Sequence, residues 1–360
     1  MGAVAREVVA AEGWPRLGKA SWRRVDAAAG KGDVAVEGRH VARKEVSAMG
    51  DPAVEVDGLR KSFGKVVALD GLSFAAPPGS VLGLLGPNGS GKTTTVSILS
   101  TALRPDGGRG CVQGLDVVAD AARVRRVIGF AGQFAAVDPN LTGRENLTLI
   151  GRLSRLGRGQ ARARADELLD GFGLGTAAGR LVRTYSGGMR RRLDVAAALL
   201  HRPSVLFLDE PTTGLDPESR FALWDSVREL SLSGTTVLLT TQYLEEADAL
   251  ADHVVIISAG RVADTGTPAE LKSRFGSVLF HLGFGGQAAA EAASTALSAA
   301  GYRPQREGAG VWIRSANGSG ELTGLLRALD GRAPDPVSVA VREPTLDDVF
   351  LSLTGGGKAA

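Results

Sequence analysis

Eight consecutive residues, Gly86-Pro87-Asn88-Gly89-Ser90-Gly91-Lys92-Thr93, follow the spacing G-x-x-x-x-G-K-[ST]. Glycines at these positions let backbone N–H groups curl around phosphate oxygens, and a helix starting at once behind them turns its positive end toward the same anion. Lys92 is expected to reach the terminal phosphates of a nucleotide. The Thr93 hydroxyl is expected to bind Mg²⁺, and Thr94 beside it to contact the nucleotide. A plain glycine-rich turn is the competing reading. A buried strand before the loop and a helix after it favour phosphate.

A second chemical feature lies 117 residues after Lys92, where the apolar run Val205-Leu206-Phe207-Leu208 ends in Asp209-Glu210. Unpaired carboxylates at the end of a buried strand are costly. Asp209 has a ready partner in the nucleotide's Mg²⁺. Glu210 is then placed to orient an attacking water and take its proton. A third feature, Tyr185-Ser186-Gly187-Gly188-Met189, begins just ahead of the same strand. Ser-Gly-Gly opening a helix offers a hydroxyl and bare amides to an anion. The same serine is equally an ordinary helix cap, and taken alone the cap is the better reading.

Together these residues resemble the ATP-binding-cassette ATPases, with the likeness running from about Ala53 to Lys272. Tyr185–Met189 is similar to the family signature. Leu208-Asp209-Glu210-Pro211-Thr212-Thr213-Gly214-Leu215-Asp216 is similar to its Walker B strand and D-loop, with Asp216 among the expected nucleotide contacts. Gln133 resembles the Q-loop glutamine that senses Mg²⁺ and water. Phe63 resembles the aromatic that stacks on adenine. The resemblance implies ATP and Mg²⁺ as ligands and a head-to-tail pair of cassettes. Each ATP would lie between one copy's Walker loop and Ser186, Gly187 and Gly188 of the other. It also implies docking of the region about 134–185 on a separate membrane permease, which places the chain in the cytoplasm on the inner face of the membrane.

One position departs from the family pattern. Where a histidine is usual, Thr240-Thr241-Gln242-Tyr243-Leu244 carries Gln242, which donates an amide N–H but takes no charge. Two readings stand: a slow site, or a competent one in which Glu210 carries the base role. The second is preferred, since the other catalytic residues are present. The Thr-Thr-Gln-Tyr-Leu form, Asp138–Leu147 and the ending Glu343-Pro344-Thr345-Leu346-Asp347-Asp348-Val349-Phe350 resemble ATPase subunits of daunorubicin/doxorubicin-type resistance exporters. The implied function is drug export; the alternative is a soluble or regulatory cassette ATPase uncoupled from it. One cassette, and a Gln133–Ser186 interval without heptads or zinc cysteines, disfavour the translation and DNA-repair types.

These residues need an α/β scaffold of P-loop type with a mixed sheet. Strands are expected at Ala53–Val56, Val66–Ala68, Val81–Leu85, Arg109–Gln113, Val127–Ala131, Val205–Leu208, Thr236–Thr240, Val254–Ser258 and Arg261–Asp264. A helix is expected over Lys92–Leu103 and a mostly helical stretch from Asn140 to Gly179. The cassette domain is expected over 51–272. A small α+β unit, read as βαβαβ-like with a closing helix from Leu346, is expected over 273–360. Residues 1–50 show no sustained period and read as a disordered tail, with Met49 a candidate start.

Bulk properties exclude several other classes. Residues 1–48 hold nine Lys/Arg against six Asp/Glu, which accounts for the whole net charge of +3. No basic face for nucleic acid is implied. Cys111 is the only cysteine, so there is no internal disulfide and no cysteine-based zinc cluster. No apolar run is long enough to span a bilayer. Arg190-Arg191-Arg192 reads as the solvated start of the signature helix, and the four histidines show no ligand spacing.

Overall fold

The computed structural model describes residues 51–132, 136–275, 278–315 and 318–354. The expected tail, Met49 and Gln133 lie outside them. Strands β1 (Val54–Phe63) and β2 (Val66–Ala76) form a long antiparallel hairpin, extended by β4 (Gly107–Val112) and β5 (Leu115–Asp116) in the order β2-β1-β4-β5. The sequence foresaw only stubs of β1 and β2. Their alternation is broken at Gly58 and Gly71, both at positive φ, and the register shifts around Leu59.

The second sheet has six strands, in the order β10 (Arg261–Gly266), β9 (His253–Ser258), β3 (Val81–Leu85), β8 (Thr236–Thr241), β7 (Val205–Asp209), β6 (Ile128–Ala131). All pairs are parallel except β9–β10, giving the expected mixed sheet. Strands buried on both faces explain the unbroken apolar runs. Val205 and Phe207 face the core shared with the first sheet, while Leu206 and Leu208 face the helical side.

Helix α1 (Lys92–Leu99) sits in the core between the two sheets. It is shorter than expected because Thr101 turns left-handed, at φ 66°. α2 (Ala121–Val127) precedes β6 and takes Val127 from the strand expected there. α3 (Gly143–Leu153), opened by a Thr142–Glu145 capping box, and α4 (Arg158–Gly171) form the expected helical stretch. α5 (Gly187–Ala198) carries the signature residues. Residues 217–232, given no element by the sequence pattern, form α6 (Pro217–Leu232), although Asp216 at its N-cap and Pro217 behind it are start signals. α7 (Leu244–Leu250) and α8 (Pro268–Phe275) complete this part of the chain.

The third sheet is antiparallel, in the order β12 (Pro304–Glu307), β13 (Gly310–Ser315), β11 (Val278–Gly283), β14 (Ser338–Arg342). It is covered by α9 (Gln287–Ala299) and α10 (Leu322–Leu329) through Phe280, Leu282, Ala293, Leu297 and Leu325. The antiparallel hairpin β12–β13 corrects the βαβαβ-like reading, which had no strand at 304–307. The last helix, α11 (Leu346–Thr354), packs away from this sheet. Leu346 and Val349 join Leu85, Ala247, Val254, Ile256 and Leu271 in one buried cluster.

Candidate nucleotide site

The phosphate loop runs from the end of β3 into α1, with Gly89 at φ 80° and Gly91 at φ 110°. A Cβ on Gly91 would lie 2.6 Å from Leu69 Cδ2 and 2.7 Å from the Ala68 carbonyl, so the loop tolerates no side chain there. One on Gly86 would lie 2.5 Å from both Ser90 Oγ and the Ile257 carbonyl. Nothing lies within 4 Å of a Cβ built on Gly89, which is exposed with Pro87 and Asn88. The loop is therefore fixed from behind and open in front. The Ser90 hydroxyl is buried and has no hydrogen-bond partner among the described residues.

Lys92 is only 4% exposed; its Nζ donates to the carbonyls of Gly86 at 2.8 Å and Pro87 at 3.2 Å. It also lies 3.6 Å from Glu210 Oε1. Burial pulls the lysine pKa below its ordinary value, against the opposing pull of Glu210 and Asp209.

The parallel register sets Asp209 of β7 opposite Thr240 of β8. Thr93 Oγ1 donates to Asp209 Oδ1 at 3.2 Å, and Thr240 Oγ1 donates to the same oxygen at 2.5 Å. Thr240 also receives the Glu210 N–H, at 3.0 Å on Oγ1 and 3.1 Å on its carbonyl. That pairing holds Glu210 in the left-handed region, at φ 46°, a costly conformation for a non-glycine residue. Lys92, Thr93, Asp209 and Glu210 thus converge outside the carboxyl ends of parallel strands. Thr240 was missed in the sequence; a hydroxyl closing a Val-Leu-Leu strand was the available signal.

Oxygen donors from a hydroxyl and a carboxylate suit a hard divalent cation, and the two residues fit Mg²⁺ completed by phosphate oxygens. No cluster of three or more His, Cys, Asp or Glu suited to a metal occurs among the described residues. Thr94 lies in the first turn of α1, and Gln242 is exposed beyond β8. Phe63 closes β1 at 51% exposure, with Lys61 Nζ 5.7 Å from its ring centre.

The signature residues sit apart from this cluster. Ser186 caps α5, accepting from the Met189 N–H at 3.2 Å, and both Ser186 and Gly187 are exposed. The cap uses a lone pair of the hydroxyl and leaves its proton to donate outward, so cap and anion contact are compatible. No hydrogen bond among the described residues joins Ser186–Gly188 to the phosphate loop. Gly188 is pressed on α6: an added Cβ would lie 2.0 Å from Ser219 Oγ. Asp216 caps α6 through the Ser219 N–H at 2.9 Å and the Ser219 hydroxyl at 2.8 Å, and these bonds hold its carboxyl below the usual range.

Arg191 corrects the reading of the arginine run as solvated. Its side chain is 11% exposed and bonded into the protein on several sides, while Arg190 is exposed. A run of three like charges on a helix hides which one faces inward, because the neighbours differ by about 100° around the axis.

A glycine-cradled loop, a Walker-type carboxylate pair and a detached signature turn on this sheet order define a cassette-type P-loop ATPase. The comparisons agree. Residues 69–213 match the family model described as ABC transporter. The chain is 52% identical over 309 residues to daunorubicin resistance ATP-binding protein DrrA3 of Streptomyces coeruleorubidus, covering 85% of this chain and 97% of that one. It is 49% identical over 306 residues to daunorubicin/doxorubicin resistance ATP-binding protein DrrA of Streptomyces peucetius, covering 84% and 92%. To linearmycin resistance ATP-binding protein LnrL of Bacillus subtilis it is 35% identical over 305 residues, covering 84% and 98%. Among solved structures, it is similar to the dimeric post-hydrolysis ATP-binding cassette MJ0796 bound to ADP and Pi (TM-score 0.55, 25% identity, 59% of this chain and 98% of that one). The chain belongs to the ATP-binding, ATP-hydrolysing subunits of ABC transporters.

Proposed function

We propose that this subunit powers a drug exporter, hydrolysing ATP at two composite sites formed by two copies of the chain head to tail. The observation that carries the reading is the convergence of Lys92, Thr93, Asp209 and Glu210 at one sheet end, with the exposed Ser186 and Gly187 elsewhere on the same chain. A site missing its signature from within is completed by a second copy.

In each site the loop amides of Gly86–Thr93 and the Lys92 ammonium bind the phosphates, and Phe63 stacks on the base. Thr93, Asp209 through water, and Gln133 would hold Mg²⁺, which would neutralise charge on the phosphates when bound. Glu210 orients the water and takes its proton as the oxygen attacks phosphorus. Gln242 donates its amide to a terminal phosphate oxygen, and Ser186 with Gly187 and Gly188 donate from the other copy. Asp216, fixed by its cap, lies beside that junction.

No helix of the described residues is long and apolar enough to cross a membrane. The reading therefore includes a separate permease, docked on the region about 134–185 at the inner face of the membrane. The names of the first two relatives point to anthracycline-type drugs. The test is co-expression of this chain with a candidate multi-span membrane protein from the adjacent reading frame, measuring efflux of a fluorescent anthracycline. Efflux that requires both chains and is lost with Glu210→Gln supports the reading. Efflux indifferent to Glu210→Gln removes this subunit as the motor.

A further inference from the structure

The signature helix α5 does more than face outward. From its buried side Arg191 sends Nε to the Pro211 carbonyl at 2.9 Å and Nη2 to the Asp209 carbonyl at 3.2 Å. Its Nη1 donates to the Gly132 carbonyl and to Asp194 Oδ2, the latter at 3.2 Å. One turn along the helix, Asp194 turns its other oxygen to the Ala136 N–H, at 2.8 Å. Asp194 is 3% exposed. One buried ion pair therefore grips the backbone on both sides of Glu210. It also grips the backbone at 132 and at 136, the two flanks of the stretch that carries Gln133.

Burial of this kind needs a reason. A buried pair seldom stabilises more than apolar residues of the same volume would. Desolvation lowers the arginine pKa and raises that of Asp194, so the site holds its charges against a cost. What apolar residues cannot reproduce is the fan of donors that meets three carbonyls at once. Those carbonyls lie at or just past the ends of β6 and β7, where the strands run into residues that the proposed function places at metal and water.

We infer that Arg191, held by Asp194, is a positioning residue for ATP hydrolysis. It fixes the backbone around Glu210 and the flanks of the Gln133 segment to the helix that carries Ser186–Gly188, so the face offered to the partner copy and the chain's own hydrolytic end share one rigid connection. This rests on the proposed roles of Asp209 and Glu210.

The test uses the purified full chain, with ATP turnover and the binding of a fluorescent ATP analogue as readouts. The double substitution Arg191→Met with Asp194→Asn removes both charges and keeps an acceptor for Ala136, so no unpaired ion is left buried. It is expected to fold, to bind the analogue within about twofold of the unsubstituted chain, and to lose about tenfold or more in kcat, the scale of one or two unmade hydrogen bonds. Arg191→Lys keeps the pair with Asp194 but not the fan, and is expected to recover stability while turnover stays at least about threefold low. Wild-type kcat in the double variant overturns the inference. So does a loss of analogue binding large enough to explain the loss of turnover. Glu210→Gln is measured in parallel. If it leaves hydrolysis intact, the site reading has failed; if it abolishes hydrolysis while the Arg191 variants turn over normally, only the positioning role has.

Discussion

Lys92 and Ser186 stand at the starts of two helices that are built in opposite ways. α1 opens after Gly91 with no side-chain cap, and its first residue is buried and tied to loop carbonyls and to Glu210. α5 opens on an exposed serine that caps its own helix, followed by an exposed glycine. The first start is finished by residues of the same chain. The second is finished internally, yet shows a hydroxyl proton and bare amides to the outside. The first start turns its groups inward on a cluster within the chain; on the proposed reading the second serves the nucleotide of another copy.

The contrast breaks most sharply at Glu210. Glu210→Gln is expected to lower kcat by roughly 10²–10⁴, the range of a lost general base, while ATP still binds and a paired complex accumulates. Turnover and size-exclusion profiles measured together check both halves. Gly188→Ala attacks the other start. Its methyl would meet Ser219 Oγ at 2.0 Å, and overpacking of about 1–3 kcal/mol, where it falls on the signature turn, corresponds to roughly 5- to 160-fold in rate. Binding of a fluorescent ATP analogue to the single chain is expected to stay unchanged; a matching loss of binding would show that the two starts are not separable.

Thr240→Val sharpens the comparison from within the buried site. It removes one of the two hydroxyls on Asp209 Oδ1 and one of the two acceptors of the Glu210 N–H, which keep Thr93 and the Thr240 carbonyl, a cost of about 1 kcal/mol that lowers kcat by about fivefold. Thr240→Ser is expected to restore most of it, measured as turnover at saturating ATP. The smallest effect is expected at the exposed margin. Gln242→His should keep or raise turnover, because Glu210 carries the proton; a clear loss in the same assay would assign the amide a contact that imidazole cannot make.

The buried start was legible because its chemistry is local. Gly86–Thr93 and Val205–Glu210 are continuous segments whose residue types admit few other uses. What stayed hidden depends on partners distant along the chain. Thr240 looks like any strand-end threonine until β8 lies beside β7. Arg191 looks solvated until the carbonyls of residues 132, 209 and 211 surround it. β1 and β2 were cut short because Gly58 and Gly71 interrupt a period-2 pattern that bulges carry onward. The third sheet was read as βαβαβ-like because periodicity reports strands and helices but not which strands pair.

The docking of α11 bears on how the molecule is made. Leu346 and Val349 are buried against Leu85, the residue directly before Gly86, although 261 positions separate Leu346 from Leu85. Covering each side chain of this size contributes about 1.5–3 kcal/mol. During synthesis, β3 and the loop leave the ribosome early, on the order of tens of seconds before their final cover emerges. A copy broken off ahead of residue 346 would lose the apolar cover that Leu346 and Val349 add to this cluster. The foundation of the nucleotide site thus shares one apolar cluster with a segment far along the chain, so that cover can form only after residues 346–349 are made.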